Sequence, residues 1–273
     1  MNFLSKNIIQ YRTGCALRIV PPSRISLWPN FIVIGAAKSG TSMIHEVLAT
    51  HPEIFMSRIK EPNLFMADGA RDILGRAFKR GRSDKQLLAA CFRGYQGERI
   101  RGESSQAYTH APFWGMEVPQ RMRQINPAMK FLFVARHPVD RIESNYRMHL
   151  KILPERTPLD INTWLESNPH AIAISCYAFQ LERYLAYFPR KQLHIMLFEE
   201  FLRQPQENFS KLFSFLGVAD HAIPEPLPRI NEGRPVQANF SLIAKNKKYL
   251  HSILKPDVVH FEKILGRKTP WKI

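Results

Sequence analysis

The sequence GAAKSGTS at residues 35–42 follows the apolar run FIVI at 31–34 and precedes a segment whose apolar residues have helical spacing. A short apolar run that ends in a glycine is typical of a buried parallel strand entering a loop. Gly35 and Gly40 allow the backbone amides to fold around an anion at the N-terminus of the next helix, where the helix dipole also favours negative charge. The stretch therefore predicts a strand, an anion-binding loop and a helix over 41–49.

The position of the lysine separates this loop from the loops of ATP- and GTP-using enzymes. In those loops the lysine directly follows the second glycine. Here Thr41 occupies that position, and Lys38 precedes Gly40. Lys38 should therefore approach the anion from the other wall of the loop, without bridging the terminal phosphates of a triphosphate. This departure argues against an ordinary kinase, and a nucleotide kinase with a variant loop stays open as an alternative.

The arrangement of strand followed by helix recurs along the chain. A second apolar run at 130–135 leads into a helix that Pro138 starts. A third strand is predicted at 193–198, after an amphipathic helix that begins near Ser175 and is closed by Pro189. Further helices are predicted near 86–92, 115–125 and 206–216. Alternating strands and helices predict an α/β fold, a three-layer α/β/α domain with a central parallel sheet.

Arg136 and Ser144 form a second candidate anion site. Arg136 stands at the end of the second strand, and Ser144 lies about two turns into the following helix. Open α/β sheets bind ligands in the crevice outside the carboxyl ends of their strands. An arginine fork and a hydroxyl group in that crevice suit a phosphate monoester. Either residue alone would be read as a strand-end ion pair or a solvent-facing serine, but together they indicate a binding site.

The chain is strongly basic. Its 273 residues include 39 Lys and Arg against 23 Asp and Glu, a net charge of +16 at pH 7. Such a charge attracts nucleotides, acidic glycans, nucleic acid or an anionic membrane surface. The sequence holds no zinc-ligand spacing, aromatic RNA-binding motif or repeated basic array, so no nucleic-acid partner is expected. A non-catalytic basic module that binds anions or glycans stays open as an alternative.

Composition also limits the organisation and compartment of the protein. With 45% hydrophobic residues and no compositional break, residues 30–273 are predicted to form one domain, preceded by a basic arm at 1–29. The three cysteines are far apart and lack metal-ligand spacing, so neither a disulfide framework nor a metal site is predicted. No apolar run approaches the roughly 20 residues that span a bilayer. We expect a cytoplasmic protein without a transmembrane segment.

The two anion motifs together resemble those of sulfotransferases that use 3′-phosphoadenosine 5′-phosphosulfate (PAPS). Residues 38–42 are similar to the 5′-phosphosulfate loop of that family. Residues 136–144 are similar to its 3′-phosphate motif, which runs Arg, Asp or Asn, Pro, two residues, Arg, two residues, Ser. The sequence departs from the motif at His137, where the family usually has Asp or Asn. The resemblance extends from about residue 31 to the C-terminus.

The resemblance implies roles for the residues of both motifs. Lys38 would stabilise charge on the leaving phosphate. Arg136 and Ser144 would bind the 3′-phosphate. The 5′-phosphosulfate would be held by the loop residues Lys38, Ser39, Gly40, Thr41 and Ser42. No metal is implied, because the donor lacks the polyphosphate for which kinases recruit magnesium.

Glu61 is the candidate general base. The stretch 51–65 resembles the family segment in which a glutamate beside the phosphosulfate takes the acceptor's proton, and Glu61 is the matching residue. An acceptor hydroxyl is a poor nucleophile until its proton is removed, which suits a carboxylate. Two alternatives stay open: Glu61 pairs with Lys60 or Arg58 at a turn, or a histidine such as His51 is the base.

Two further segments resemble parts of the family. Residues 231–234 correspond to the late loop that folds over the nucleotide, so Gly233 and Arg234 are predicted to contact the donor. Residues 102–108 are similar to a segment that shapes the acceptor cleft. The resemblance implies sulfuryl transfer from PAPS to a hydroxyl or amine, with a carbohydrate or other glycan-like molecule as the acceptor. Basic residues between 71 and 82 agree with an acidic or sugar-rich acceptor, and a solvated basic face explains them equally well.

Overall fold

The computed structural model describes residues 28–67, 83–228 and 237–273. Within these residues five strands form one parallel sheet in the order β2-β3-β1-β4-β5. The strands are β1 (Phe31–Gly35), β2 (Ile54–Met56), β3 (Ile100–Ser104), β4 (Lys130–Ala135) and β5 (Leu193–Leu197). The predicted parallel sheet is confirmed, and β1, β4 and β5 are the three strands that the apolar runs indicate.

Helices connect and cover these strands. In the first half of the chain they are α1 (Thr41–Leu48), α2 (Asp84–Cys91), α3 (Val118–Ile125) and α4 (Pro138–Ile152). In the second half they are α5 (Ile161–Glu166), α6 (Pro169–Ile174), α7 (Tyr177–Leu185), α8 (Phe198–Arg203), α9 (Pro205–Leu216) and α10 (Ala244–Leu265). As predicted, α9 is closed by Gly217, which caps the helix in the left-handed conformation with φ of 80°.

The central strands bury both of their faces. In β1, Ile32 and Ile34 belong to one core, whereas Phe31 and Val33 belong to another. Helices α3 and α7 pack in the first core, and α1 and α9 pack in the second. The sheet is therefore the middle of three layers, which explains why its central strands are continuous apolar runs rather than alternating ones.

Several elements differ from the sequence prediction, among them the strands β2 and β3, which the apolar runs do not indicate. The helix expected from Ser175 begins at Tyr177, because Ser175 caps the preceding helix α6 and its hydroxyl accepts a hydrogen bond from Arg141. Helix α10 was not predicted. It contains Pro256, which cannot donate a helical hydrogen bond, yet it runs for 22 residues because Leu250, Leu254 and other side chains along one face are buried.

Several predictions fall on residues that the structure does not describe. These are most of the basic arm at 1–29, the basic segment between 71 and 82, and the late loop with Gly233 and Arg234. Over the described ranges, no helix combines the length and apolar character needed to cross a membrane. Those same ranges hold no group of three or more metal-ligating side chains suited to a metal ion.

We expect Leu254→Ala to lower the free energy of unfolding by ~2–5 kcal/mol, because a large side chain would leave a cavity in a packed core. Leu254 is fully buried against α4 and α5 in a third core. Urea denaturation measures the change. The matched control is Val259→Ala on the same helix, a 45% exposed position where a change of about 0.5 kcal/mol or less is expected. Equal effects of the two substitutions would contradict the packing of α10.

Candidate active site

The anion loop leaves β1 at the carboxyl edge of the sheet and enters α1. Lys38 and Gly40 both have left-handed backbone conformations, with φ of 69° and 82°. Gly40 needs to be glycine for a second reason, because a Cβ atom there would lie 2.9 Å from the ring of Phe198. The loop is thus folded tightly against α8, with the amides of the first turn of α1 following directly after it.

Arg136 joins the second motif to this loop. It follows β4, the neighbour of β1, and its Nη1 donates a hydrogen bond to the carbonyl oxygen of Lys38 at 3.2 Å. Its guanidinium also lies 4.9 Å from the centre of the Phe198 ring. The Tyr177 hydroxyl donates to the Arg136 carbonyl at 2.7 Å. The two predicted anion motifs are therefore in direct contact, and the arginine is held from three sides.

The site is electrostatically positive. Burial lowers the pKa of Lys38, and the charges of Arg136 and Arg141 lower it further, while the charge of Glu61 opposes them. These effects show that the two arginines and Glu61 lie close to the Lys38 ammonium, because charge interactions weaken with distance. The cluster contains more cations than anions, so it favours a bound anion.

Arg141 contributes a buried positive charge beneath the loop. Its side chain is fully buried, and burial lowers its pKa to about 10. Its Nε donates to Ser175 Oγ at 2.6 Å, its Nη1 donates to Asn145 Oδ1 at 3.3 Å, and its Nη2 donates to the Ala171 carbonyl. These acceptors are neutral, so they satisfy the guanidinium donors without neutralising the charge. A buried cation of this kind is unfavourable unless an anion compensates it.

Glu61 is held at the same edge of the sheet. Its backbone N donates to the carbonyl oxygen of Ser104, the last residue of β3, at 2.9 Å. Its φ of 57° is unusual for a residue other than glycine. Lys60 Nζ donates to Glu61 Oε1 at 2.8 Å, so the ion pair considered from the sequence is present. That pair is partly exposed and leaves Glu61 close enough to influence the charge on Lys38.

His45 supports the segment that carries Glu61. This buried residue of α1 bonds through Nε2 to the carbonyl of Ser57 at 3.1 Å and through Nδ1 to Ser104 Oγ at 2.9 Å. Because a carbonyl only accepts, Nε2 carries the proton and Nδ1 accepts from the serine. Burial and the charge of Lys60 lower the pKa of His45 to about 4, which keeps the ring neutral near pH 7.

His51 occupies a different place. It is buried, its Nε2 bonds to the carbonyl of Ala219 at 2.9 Å, and its Nδ1 accepts from the backbone N of Glu53 at 3.0 Å. Its ring packs against Phe213. Both nitrogens are therefore engaged in joining α1 to the end of α9, an arrangement that suits a structural histidine.

The remaining hydroxyl residues predicted to bind the donor differ in their exposure to solvent. Ser39 and Thr41 are buried, and Ser42 and Ser144 are half-buried. His137 directs Nε2 to the Lys272 carbonyl at 3.2 Å and packs against Trp271. The ring of His137 thus anchors the C-terminal segment.

The segment at 102–108 begins within the sheet. Residues 102–104 are the end of β3 itself, and Glu103 and Ser105 are fully buried. Ser105 Oγ donates to Glu103 Oε2 at 2.8 Å and accepts from the backbone N of Asn63 at 3.0 Å. These two buried residues support the segment that carries Glu61, and a role of residues 102–108 in shaping the acceptor cleft stays a prediction.

These residues fit an anionic nucleotide. The loop precedes a helix N-terminus. Among the charges that act most strongly on Lys38, two are the cations Arg136 and Arg141 and one is the carboxylate Glu61. Within the described residues, the buried Ser39 Oγ has no hydrogen-bond partner. An unpaired buried hydroxyl is uncommon in a folded protein and is found at sites that bind ligands.

Comparison with known proteins identifies the family of the chain. Residues 29–232 match the family model of the sulfotransferase domain. Human heparan sulfate glucosamine 3-O-sulfotransferase 3A1 is 25% identical over 220 residues, which cover 75% of this chain and 50% of that protein. Mouse heparan sulfate glucosamine 3-O-sulfotransferase 5 is 29% identical over 202 residues, with coverages of 70% and 54%. The chain therefore spans about half the length of the curated relatives it matches.

A solved structure agrees with this match. The crystal structure of a sulfotransferase from Alicyclobacillus acidocaldarius is 29% identical, with a TM-score of 0.69 and coverage of 89% of this chain and 97% of that one. The chain belongs to the sulfotransferase family, and its fold is the P-loop-type α/β fold of that family. This family assignment favours a sulfotransferase over a variant kinase.

We expect His45→Leu to lower kcat by roughly 10- to 100-fold, because small displacements of reacting groups have effects of this size. The affinity for adenosine 3′,5′-bisphosphate should stay unchanged, since His45 supports Glu61 and makes no bond to Arg136. The control is His45→Gln, whose amide can still accept from Ser104 and donate to Ser57. Kinetics with calorimetry compare the variants. A similar kcat for His45→Leu and wild type would show that the position of Glu61 does not depend on this histidine.

Proposed function

We propose that this protein transfers a sulfuryl group from PAPS to a hydroxyl group of a carbohydrate acceptor. The observation that carries the proposal is the direct contact between the two anion motifs, made by Arg136 Nη1 and the Lys38 carbonyl. A donor with a phosphosulfate at one end and a separate phosphate monoester at the other needs two anion sites on one edge of the sheet. Arg136 and the loop that contains Lys38 meet this requirement.

The donor would be held by residues of both motifs. The first-turn amides of α1 and the side chains of Lys38, Thr41 and Ser42 would bind the phosphosulfate oxygens. Arg136 and Ser144 would bind the 3′-phosphate through charge-assisted and neutral hydrogen bonds. The buried charge of Arg141 adds to the attraction from beneath. Gly233 and Arg234 stay predicted contacts, on grounds of sequence alone.

Glu61 would act on the acceptor, and Lys38 would act on the leaving group. In the reaction the acceptor oxygen forms a bond to sulfur, and the bond between sulfur and the bridging phosphate oxygen breaks. Glu61 takes the proton of the acceptor hydroxyl as that bond forms. Lys38 donates hydrogen bonds to the oxygen that leaves and stabilises its negative charge. The opposite charges of Glu61 and Lys38, close together at the carboxyl edge, support this assignment.

The names of the relatives support a carbohydrate acceptor. The two curated relatives described above are named for sulfation of a glucosamine in heparan sulfate. The net charge of +16 also favours acceptors that carry acidic groups along their length. The identities of 25% and 29% support the class of acceptor and leave the individual sugar open.

We expect the protein to bind adenosine 3′,5′-bisphosphate, and Arg136→Ala to weaken that binding about 10- to 100-fold, since hydrogen bonds to charged groups contribute ~1.5–3 kcal/mol. Isothermal titration calorimetry measures both affinities, with ATP and magnesium as the competing ligand. The matched control is Arg123→Ala, an exposed arginine at the end of α3 whose Nη1 bonds to the Pro127 carbonyl. Tight binding of ATP with magnesium but none of the bisphosphate would overturn the proposed donor.

We expect Glu61→Gln to lower turnover by about 10²–10⁴-fold, the usual contribution of a general base. Binding of the bisphosphate should persist, because the amide keeps the size of the side chain and the cations are untouched. Transfer of labelled sulfate from PAPS measures turnover. Glu207→Gln is the control, since Glu207 is an exposed residue of α9 paired with Lys211. If Glu61→Gln retained the turnover of this control, another group would be the base.

A further inference from the structure

Four aromatic rings gather where α4, α6 and the segment after β3 meet. Ring contacts join Phe113, His149 and His170, and the backbone carbonyl of His110 accepts a hydrogen bond from the backbone N of Phe113; we call these four residues the histidine cluster. His149 and His170 are stacked, with centroids 6.1 Å apart and planes inclined by 28°. Phe113 meets His170 edge-on, with centroids 6.1 Å apart and planes inclined by 80°. Each of the four residues is partly exposed to solvent, although His110 Nε2 itself is shielded.

Trp164 fixes the orientation and the tautomer of one of these rings. Its buried indole Nε1 donates to His149 Nδ1 at 3.2 Å. An indole nitrogen can only donate, so His149 Nδ1 is an acceptor and the neutral ring carries its proton on Nε2. The Nε2–H group of His149 is therefore a donor that can bind a ligand, and the fixed ring sets the direction in which it points.

The histidine cluster lies beside the anion loop. Burial lowers the pKa of His149, and the charge of Lys38 lowers it further. Burial lowers the pKa of His110 to about 3 and that of His170 to about 4, with Arg141 adding to both shifts. The cations of the donor site are therefore near enough to act on all three histidines. Near pH 7 the three rings are uncharged.

The histidine cluster has no assigned role in holding the donor. Charged groups bind phosphates, whereas neutral imidazoles provide one donor and one acceptor each and an apolar face for stacking. His110 Nε2 is shielded from solvent and lacks a hydrogen-bond partner within the described part of the chain. An unpaired polar atom of this kind is uncommon away from functional sites.

We propose that the histidine cluster is the acceptor subsite, and that it binds the uncharged, hydroxylated ring that carries the reacting hydroxyl. The proposal rests on the proposed function, because it takes the neighbouring anion loop as the donor site. A pyranose ring would pack on the imidazole faces while its hydroxyl groups exchange hydrogen bonds with the imidazole nitrogens. His149, with its proton fixed on Nε2, would donate to one of these hydroxyls and orient the ring.

Charge explains why the ring in this subsite would be neutral. A carboxylate or sulfate on the reacting ring would lie next to the negative phosphosulfate of the donor, and like charges brought together across an interface are strongly unfavourable. Acidic groups elsewhere on a longer acceptor would be bound by the basic surface outside the cluster. The subsite would therefore distinguish acceptors by the charge of the ring that reacts and not by the total charge of the acceptor.

A matched pair of probes tests the proposal. The probes are 4-methylumbelliferyl β-glucoside and 4-methylumbelliferyl β-glucuronide, which differ in one carboxylate on the sugar ring. Transfer of labelled sulfate from PAPS should be at least about tenfold more efficient for the glucoside, a difference of ~1.4 kcal/mol in transition-state binding. His170→Phe and His149→Gln should raise KM for the glucoside by several-fold while leaving the affinity for adenosine 3′,5′-bisphosphate unchanged. Glutamine at 149 keeps an acceptor for Trp164 and so protects the fold.

The control variant is His260→Ala, an exposed histidine that pairs with Glu182 outside the histidine cluster. Saturation-transfer NMR on the bisphosphate-loaded protein measures glycoside binding without turnover. Three results would each overturn the proposal: an equal or better reaction of the glucuronide, cluster variants that behave like His260→Ala, or no binding of the glucoside by protein that binds the bisphosphate. Failure to bind the bisphosphate at all would instead contradict the proposed donor.

Discussion

The hydrogen bond from Arg136 Nη1 to the Lys38 carbonyl is the contact on which the site depends. It joins two loops that leave neighbouring strands, β1 and β4, at the same edge of the sheet. On the other side of β1, the end of β3 holds the backbone of Glu61 through the Ser104 carbonyl. The carboxyl ends of parallel strands meet at one edge of the sheet. This strand order therefore brings Lys38, Arg136 and Glu61 to the same edge, although they are not neighbours in the sequence.

Holding these groups together requires unfavourable local structure. Lys38 and Glu61 adopt left-handed backbone conformations, each of which costs about 1–3 kcal/mol for a residue other than glycine. Arg141 is buried with neutral partners. The surrounding network compensates, since the hydrogen bonds of His45 tie α1 to β3 and to the segment that carries Glu61. A third residue other than glycine, the buried Asn63, adopts the same backbone conformation two positions after Glu61.

The sequence predicted the elements whose signal is local. The runs at 31–34 and 130–135 are buried on both faces, and the glycines between β1 and α1 mark the loop directly. By contrast, β3 reads IRGES and was not recognised as a buried strand, since Gly102 is buried by long-range contacts with Phe31 and Met56. Helix α10 escaped prediction because Pro256 interrupts its pattern. The roles of His45 and Arg141 likewise depend on partners that no local spacing reveals.

The proposed donor and acceptor sites are neighbours, and they require different side chains. Permanent cations suit the donor, because its phosphates keep their negative charge at every physiological pH. Next to them, a group that recognises a hydroxyl must not compete for those phosphates, and an uncharged imidazole meets that condition where a lysine would not. Burial is the main reason that the pKa values of His149 and His170 are lowered, and the charges of Lys38 and Arg141 add to the effect. The same charges that attract the donor thus help to keep the surface proposed for the acceptor uncharged, so the two parts of the proposed site are coupled.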